Sequence, residues 1–269
     1  MIIPFLDLKA QYQSIKKEIH EIIEKVCGDV AFSNGVYVEN FEESFAKYCN
    51  TDYAIAVNSG TSALHLSMVA LGIGNGDEVI IPSNTFIATA YAPSYVGAIP
   101  VFVDCCPDSW EIDPHSIEKK ITNKTKAIIG VHLYGQPFDI DEVKKIADGY
   151  NLYLIEDASQ AHGAIYKGKR VGGICEIGCF SFYPGKNLGT YGEGGCITTN
   201  NEQYEKHLKS LRNQGSYEKY YHDEVGYNMR MGGIEGAVLD IKLKHLDQWN
   251  DKRKEIAVMY QKGIVNSKI

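Results

Sequence analysis

Apolar residues follow two different rhythms along this chain. Near the N-terminus they recur at helical spacing. Ile15, Ile19, Ile22, Ile23 and Val26 share one face of a helix expected over 11–27, and Val38, Phe41, Phe45 and Tyr48 mark a second helix. From residue 54 the pattern changes to short continuous runs, at Ala54–Val57, Val79–Ile81, Val101–Val103, Ala127–Val131 and Leu152–Ile155. Helix-like segments at 61–71, 86–97 and 140–150 separate them. A run that is apolar at every position suits a strand buried on both faces. Such strands, alternating with helices, indicate a mostly parallel sheet between two helical layers, an α/β/α arrangement. One more apolar run precedes Lys186, and Gly192–Thr199 reads as a turn followed by a strand. Beyond residue 202 the chain is expected to be helical almost to its end, interrupted at Gly226–Gly233.

Size and charge narrow the function. With 269 residues, 44% of them apolar, the chain carries enough apolar mass for a large core. A net charge of −7 and the lack of a Lys/Arg-rich tract argue against a nucleic-acid partner. The apolar runs are strand-sized, well short of the ~20 residues a membrane-spanning helix needs. The N-terminal segment has no basic flank ahead of an apolar stretch, so no signal peptide is expected. The seven cysteines are scattered, without metal-ligand spacing, which predicts a reduced cytoplasmic protein and no metal.

Candidate chemistry gathers at the ends of the apolar runs, the edge where ligands bind in parallel sheets. Leu152–Glu156 delivers Asp157 at a strand end, and the next strand leads through Ser181-Phe182-Tyr183-Pro184-Gly185 to Lys186. An acid at one strand end and a lysine just past the next is the pair a pyridoxal phosphate enzyme requires. The carboxylate keeps the pyridine nitrogen protonated, and the amine forms a Schiff base with the aldehyde. Two adjacent acids cannot both face one site, and Asp157 is placed better than Glu156. Asn58-Ser59-Gly60-Thr61-Ser62 follows a strand and opens a helix, a geometry that captures phosphate as readily as it makes an ordinary N-cap. Ser181 offers a second hydroxyl to the same phosphate, or simply makes a turn. Gln160 is a candidate for the cofactor's ring hydroxyl. Phe86 suits the pyridine face, or the core. His162 and Tyr183 are candidates for substrate, and a structural histidine fits the former equally well. Neither Gly-x-x-x-x-Gly-Lys-Ser/Thr nor Gly-x-Gly-x-x-Gly is present, which argues against nucleotide-loop readings.

Taken together and in this order, these motifs resemble the sugar-nucleotide aminotransferases of the DegT/DnrJ/EryC1/StrS group, which have the fold of aspartate aminotransferase. The match begins at Ile3-Pro4-Phe5-Leu6-Asp7-Leu8. It continues through Asn58–Leu64, Gly76–Val79, Ser83–Phe86, Glu156–Gly163, Ser181–Lys186 and Gly192–Gly195 to Gly226–Met231. The resemblance implies pyridoxal 5′-phosphate as cofactor, Lys186 as its Schiff-base lysine and Asp157 as the partner of the ring nitrogen. It implies Gly60, Thr61 and Ser181 at the phosphate and Gln160 near the ring hydroxyl. It also implies a homodimer in which Asn228 reaches the neighbour's phosphate.

The implied substrates are glutamate, as amino donor, and a nucleotide-linked keto-deoxysugar. Amination at C3 is the expectation, in the making of a cell-surface polysaccharide or glycoside. One branch of the family has histidine in place of the lysine and dehydrates its substrate, and Lys186 points to the transaminase branch. The resemblance divides the chain into an N-terminal segment (1–30), a large cofactor-binding domain (31–235) and the helical start of a small domain (236–269). Family members continue into that small domain, so a C-terminal truncation is expected here. The competing reading is a truncated fragment or pseudo-enzyme that binds cofactor without turnover.

Overall fold

The computed structural model describes residues 6–265, so Ile3, Pro4 and Phe5 of the first motif lie outside the described residues. Two helices open the chain, α1 (Leu8–Gly28) and α2 (Val36–Cys49). An alternating series follows: β1 (Tyr53–Val57), α3 (Gly60–Ala70), β2 (Glu78–Pro82), α4 (Ala88–Tyr95), β3 (Ile99–Val103), α5 (Pro114–Glu118), β4 (Thr125–Val131), α6 (Ile140–Tyr150) and β5 (Tyr153–Asp157). A small hairpin, β6 (Ile165–Tyr166) and β7 (Lys169–Arg170), precedes β8 (Ile177–Ser181) and β9 (Gly195–Thr199). The chain closes with α7 (Glu202–Arg212), α8 (Gly233–Leu243) and α9 (Leu246–Gly263).

Seven strands form one sheet in the order β1-β9-β8-β5-β4-β2-β3. Only β9 runs antiparallel to its neighbours, and the other adjacent pairs are parallel. Alternation along each strand sorts the apolar side chains into two layers. Ile55, Val79, Ile129, Ile155, Cys179 and Ile197 meet residues of α3, α4 and α7 on one face. Ala56, Ile80, Ile128, Leu154 and Phe180 meet residues of α2, α6 and α8 on the other. Apart from the edge strand β3, the strands are largely buried on both faces, which is why they read as continuous apolar runs rather than as alternating ones.

The outer edge of β1, which no further strand pairs, is closed by a buried ion pair. Buried Glu42 accepts the Ala56 N–H at 2.7 Å, and Arg212 donates to the Ala56 carbonyl at 2.5 Å while pairing with Glu42. An edge strand satisfied in this way offers no template for another chain. Helix ends follow their caps. Asp7, Ser59, Asp139 and Asn201 each accept a first-turn N–H, and Asn50 and Asn151 end α2 and α6 in the left-handed conformation.

The structure corrects the expected helix beyond 202. Alpha-helical geometry stops at Arg212 and resumes at Gly233, so 213–232 is irregular throughout. Gln214, Gly215 and Tyr220 take positive φ there, and the segment is held by Gln214 N–H to Tyr227 O and Tyr227 N–H to Leu211 O. Helical spacing of apolar residues does not report such long-range backbone pairing. The helix expected at 86–97 is shorter, because 85–87 form the turn into α4. Neither α5 nor the hairpin showed in the apolar pattern. The hairpin turns on Lys167 and Gly168, both at positive φ. Residue 236 lies within α8, which packs on α1 and α2, whereas α9 fully buries only Leu246. Among the described residues no helix is long and apolar enough to cross a membrane.

Candidate active site

Strand parity assembles the site. In β5, Ile155 and Asp157 face the α3/α4 layer while Leu154 and Glu156 face the opposite one. In β8, Cys179 faces the α3/α4 layer, and Ser181, two residues on, shares its side. Asp157 and Ser181 therefore leave neighbouring strands at the C-terminal edge, on the side where α3 begins. Ser59 caps α3, its Oγ accepting the Ser62 N–H at 3.0 Å. The N–H groups of Gly60 and Thr61, at the first two helical positions, have no acceptor within the helix.

Two glycines permit the close fit of this corner. A Cβ on Gly60 would stand 2.6 Å from the Ser181 Cβ, and one on Gly195 would stand 2.3 Å from the Ser59 carbonyl. Alanine at either position would push the helix start away from β8 and β9.

Lys186 follows β8 in a turn closed by its own N–H to the Tyr183 carbonyl, at 2.9 Å. A cavity of about 400 Å³ opens between these elements, and Lys186, Asp157, Gly60, Thr61, Phe86, Gln160, Ser181 and Tyr183 all line it. Burial pulls the Lys186 amine below its ordinary pKa, against the charge of Asp157, which acts the other way. Asp157 is 5% exposed; its Oδ2 accepts from the Thr89 hydroxyl at 2.9 Å and its Oδ1 from the Ser159 N–H at 3.2 Å. Gln160 Oε1 accepts the Tyr134 N–H at 2.8 Å. Phe86 and Tyr183 are exposed at the cavity wall, not in the core.

Two of the expected residues sit elsewhere. His162 is 1% exposed, packed against Phe180 and Phe182, and burial drives its pKa down to about 4. Its Nδ1 donates to Asn187 Oδ1 at 2.7 Å, and Asn187 in turn donates to the His162 carbonyl at 2.8 Å and to Asn250 Oδ1 at 3.0 Å. It borders a second, more open cavity that shares Gln160 and Lys186 with the first. Asn228 lines neither cavity; it is exposed within 213–232 and bridges to Asn213.

Sequence reasoning passed over Ser159, Thr85 and Glu193, which also line the cavity, and Thr89, which holds Asp157. Ser159 was within reach, lying two residues past Asp157. Thr89 was not, because nothing local links it to residue 157.

Comparison with known proteins decides the family. The family model for DegT/DnrJ/EryC1/StrS aminotransferases matches residues 13–268. This chain belongs to that family. A dTDP-3-amino-3,4,6-trideoxy-alpha-D-glucose transaminase of Streptomyces venezuelae is 47% identical over 97% of this chain and 69% of its own length. The solved structure of S. venezuelae DesV in complex with a ketimine intermediate superposes with a TM-score of 0.96 at 46% identity, covering 98% of this chain and 71% of DesV. NtdA of Bacillus subtilis, solved with bound cofactor PMP, gives 0.90 at 35% identity, covering 96% of this chain and 59% of NtdA.

The chain is thus a pyridoxal phosphate-dependent aminotransferase with the fold of that family. Its cavity fits the cofactor. A glycine-floored helix start with free N–H groups suits the phosphate, a buried carboxylate suits a pyridinium, and a desolvated lysine suits the aldehyde.

Proposed function

We propose that this chain moves an amino group from glutamate to the C3 keto carbon of a nucleotide-linked deoxysugar, as a homodimer with shared active sites. The observation that carries this reading is the meeting of Lys186 and Asp157 in one cavity beside the Gly60 helix start. The substrate class is supported by the name of the Streptomyces relative, a transaminase whose named sugar is dTDP-linked and carries its amine at C3.

Bound pyridoxal phosphate supplies the electron sink for deprotonation at the donor's Cα. The residues of this chain supply the rest. Gly60, Thr61 and Ser181 bind the phosphate, and Asp157 keeps the ring nitrogen protonated from a site where water no longer weakens the pair. Phe86 and Gln160 orient the ring. Lys186 would hold the cofactor's aldehyde carbon, and its Nζ would take the proton from the donor's Cα. Its lowered pKa leaves a larger share of the amine neutral, the form that accepts that proton.

The homodimer is supported by what surrounds the cavity. Ile87, Tyr91 and Tyr95 repeat at four-residue spacing on or beside α4 and are exposed, as are the nearby Phe86 and Phe102. An apolar surface of this kind marks a contact face. Asn228, exposed and outside its own chain's cavity, is then free to reach the phosphate of the second copy. The cytoplasm, as the place of this chemistry, is supported by free thiols at all seven cysteines. The product would feed polysaccharide or glycoside assembly.

The test begins with purified protein and pyridoxal phosphate, followed through the visible absorbance of the bound cofactor. Glutamate should bleach that absorbance, and a dTDP-linked 3-keto-6-deoxysugar should restore it with formation of the 3-amino sugar by mass. Failure to bleach with any amino donor would overturn the assignment, and bleaching without sugar amination would overturn the substrate class.

A further inference from the structure

Asp157 is held by a two-hydroxyl chain that starts at the cavity wall. Thr89 is fully buried in the first turn of α4, and its Oγ1 lies 2.9 Å from Asp157 Oδ2. A carboxylate oxygen only accepts, so the Thr89 hydroxyl is the donor. Its one proton is thereby committed. The Thr85 Oγ1, 2.7 Å from Thr89 Oγ1, must then donate to it. The order is fixed: Thr85 donates to Thr89, and Thr89 donates to Asp157. The Ser159 N–H, at 3.2 Å, holds the other carboxylate oxygen.

The same turn of chain presents Phe86 to the cavity, and the Thr89 N–H closes it by donating to the Phe86 carbonyl at 3.1 Å. One short segment thus sets both the aromatic wall and the acid.

From this geometry we infer that Thr89, polarised by Thr85, is a positioning residue that fixes the carboxylate of Asp157 at the cavity edge. The inference rests on the reading of Asp157 as the partner of the cofactor's ring nitrogen. A hydroxyl chain strengthens each of its bonds. Thr89 touches no reacting atom and acts through Asp157 alone.

Two substitutions separate the hydroxyl from the packing. Thr89→Val keeps the shape and loses the donor, whereas Thr89→Ser keeps the donor and loses a buried methyl. The readout is the affinity of the purified protein for pyridoxal phosphate, with the pH midpoint of the bound cofactor's visible absorbance. Thr89→Val should weaken affinity by roughly tenfold or more, the scale of a lost bond to a charged group, and displace the midpoint. Thr89→Ser should stay within about twofold of the parent in affinity, since the donor is kept. Thr85→Val should shift both in the same direction as Thr89→Val, by less.

Val better than Ser would mean that Thr89 only packs, and the inference fails. Asp157→Asn, measured alongside, keeps the two readings apart. If Asp157→Asn alters affinity and midpoint but Thr89→Val does not, only the positioning role falls. If Asp157→Asn changes neither, the reading of Asp157 falls and the positioning role with it. The double variant should add no loss beyond Asp157→Asn, as expected for two residues acting through one group. Additive losses would overturn the inference.

Discussion

Glu156 and Asp157 are consecutive carboxylates on one strand, yet the two sides of the sheet treat them in opposite ways. Glu156 points into the α2/α6 layer, where its exposure is nil and its oxygens meet the N–H groups of Gly172, Ile174 and Cys175 and the ring of His132. Burial alone would raise its pKa, but the His132 ring and the backbone donors outweigh burial and hold it low. Its backbone bonds tie the 172–175 loop to the sheet, and its bond to the ring ties His132, just past β4, to the same point. Asp157 points to the other side, receives one donor on each oxygen and borders an open cavity. A fully enclosed acid is a structural clamp, and an acid with a side open to a cavity is available to a ligand.

The sharpest way to break this comparison is on the cavity side. Lys186→Ala should leave the fold intact and lower turnover by roughly a thousandfold or more, because proton transfer at Cα loses its base. Borohydride reduction and peptide mapping of the parent should place the pyridoxyl label on Lys186, and a label on another lysine would refute the assignment. Asp157→Asn comes next, with a loss of roughly a hundredfold in kcat at saturating cofactor and little change in melting temperature. Near-normal turnover in that variant would erase the contrast with Glu156.

On the enclosed side the effect moves from activity to stability. Glu156→Gln should cost about 3 kcal/mol of folding stability, since it strips the charge from a buried acceptor of several donors. Denaturant melts would show it. The pH dependence has a definite sign. Glu156 is lowered from 4.5 in the folded protein, so its contribution is present above pH 4.5 and is lost as pH falls through its lowered pKa. The Gln variant should therefore lose less stability on acidification below that point.

The smallest expected effect belongs to His162. Folding lowers its pKa from 6.5 to about 4, so the unfolded chain binds the proton more readily and stability falls as pH drops from 6.5 toward 4. His162→Phe should flatten that part of the curve. An unchanged slope would mean that the ring is not held neutral by its burial between Phe180 and Phe182.

Local pattern carried the strand ends, and with them Asp157, Ser181 and the loop of Lys186. The reason is that a strand buried on both faces must be apolar along its length, so its polar terminus stands out. The glycine and hydroxyls at the start of α3 were legible for a similar reason, because free N–H groups at a helix start restrict which residues follow. Sequence could also say that Glu156 and Asp157 face apart, since strand side chains alternate. It could not say which of the two sides holds the cavity.

That choice came from the order of strands. Placing β8 beside β5, and α3 across their ends, put the opening on the Asp157 side and the 172–175 loop on the Glu156 side. Thr89, 68 residues from Asp157, met it only through that packing, as Arg212 met Glu42 across 170. The irregular 213–232 segment and the burial of His162 belong with these. The sequence by itself determined which residue types stand at which strand and helix ends, because local backbone chemistry dictates them. Only the tertiary structure decided which of those ends meet, because side chains distant in the chain come together through the layering of helices on the sheet.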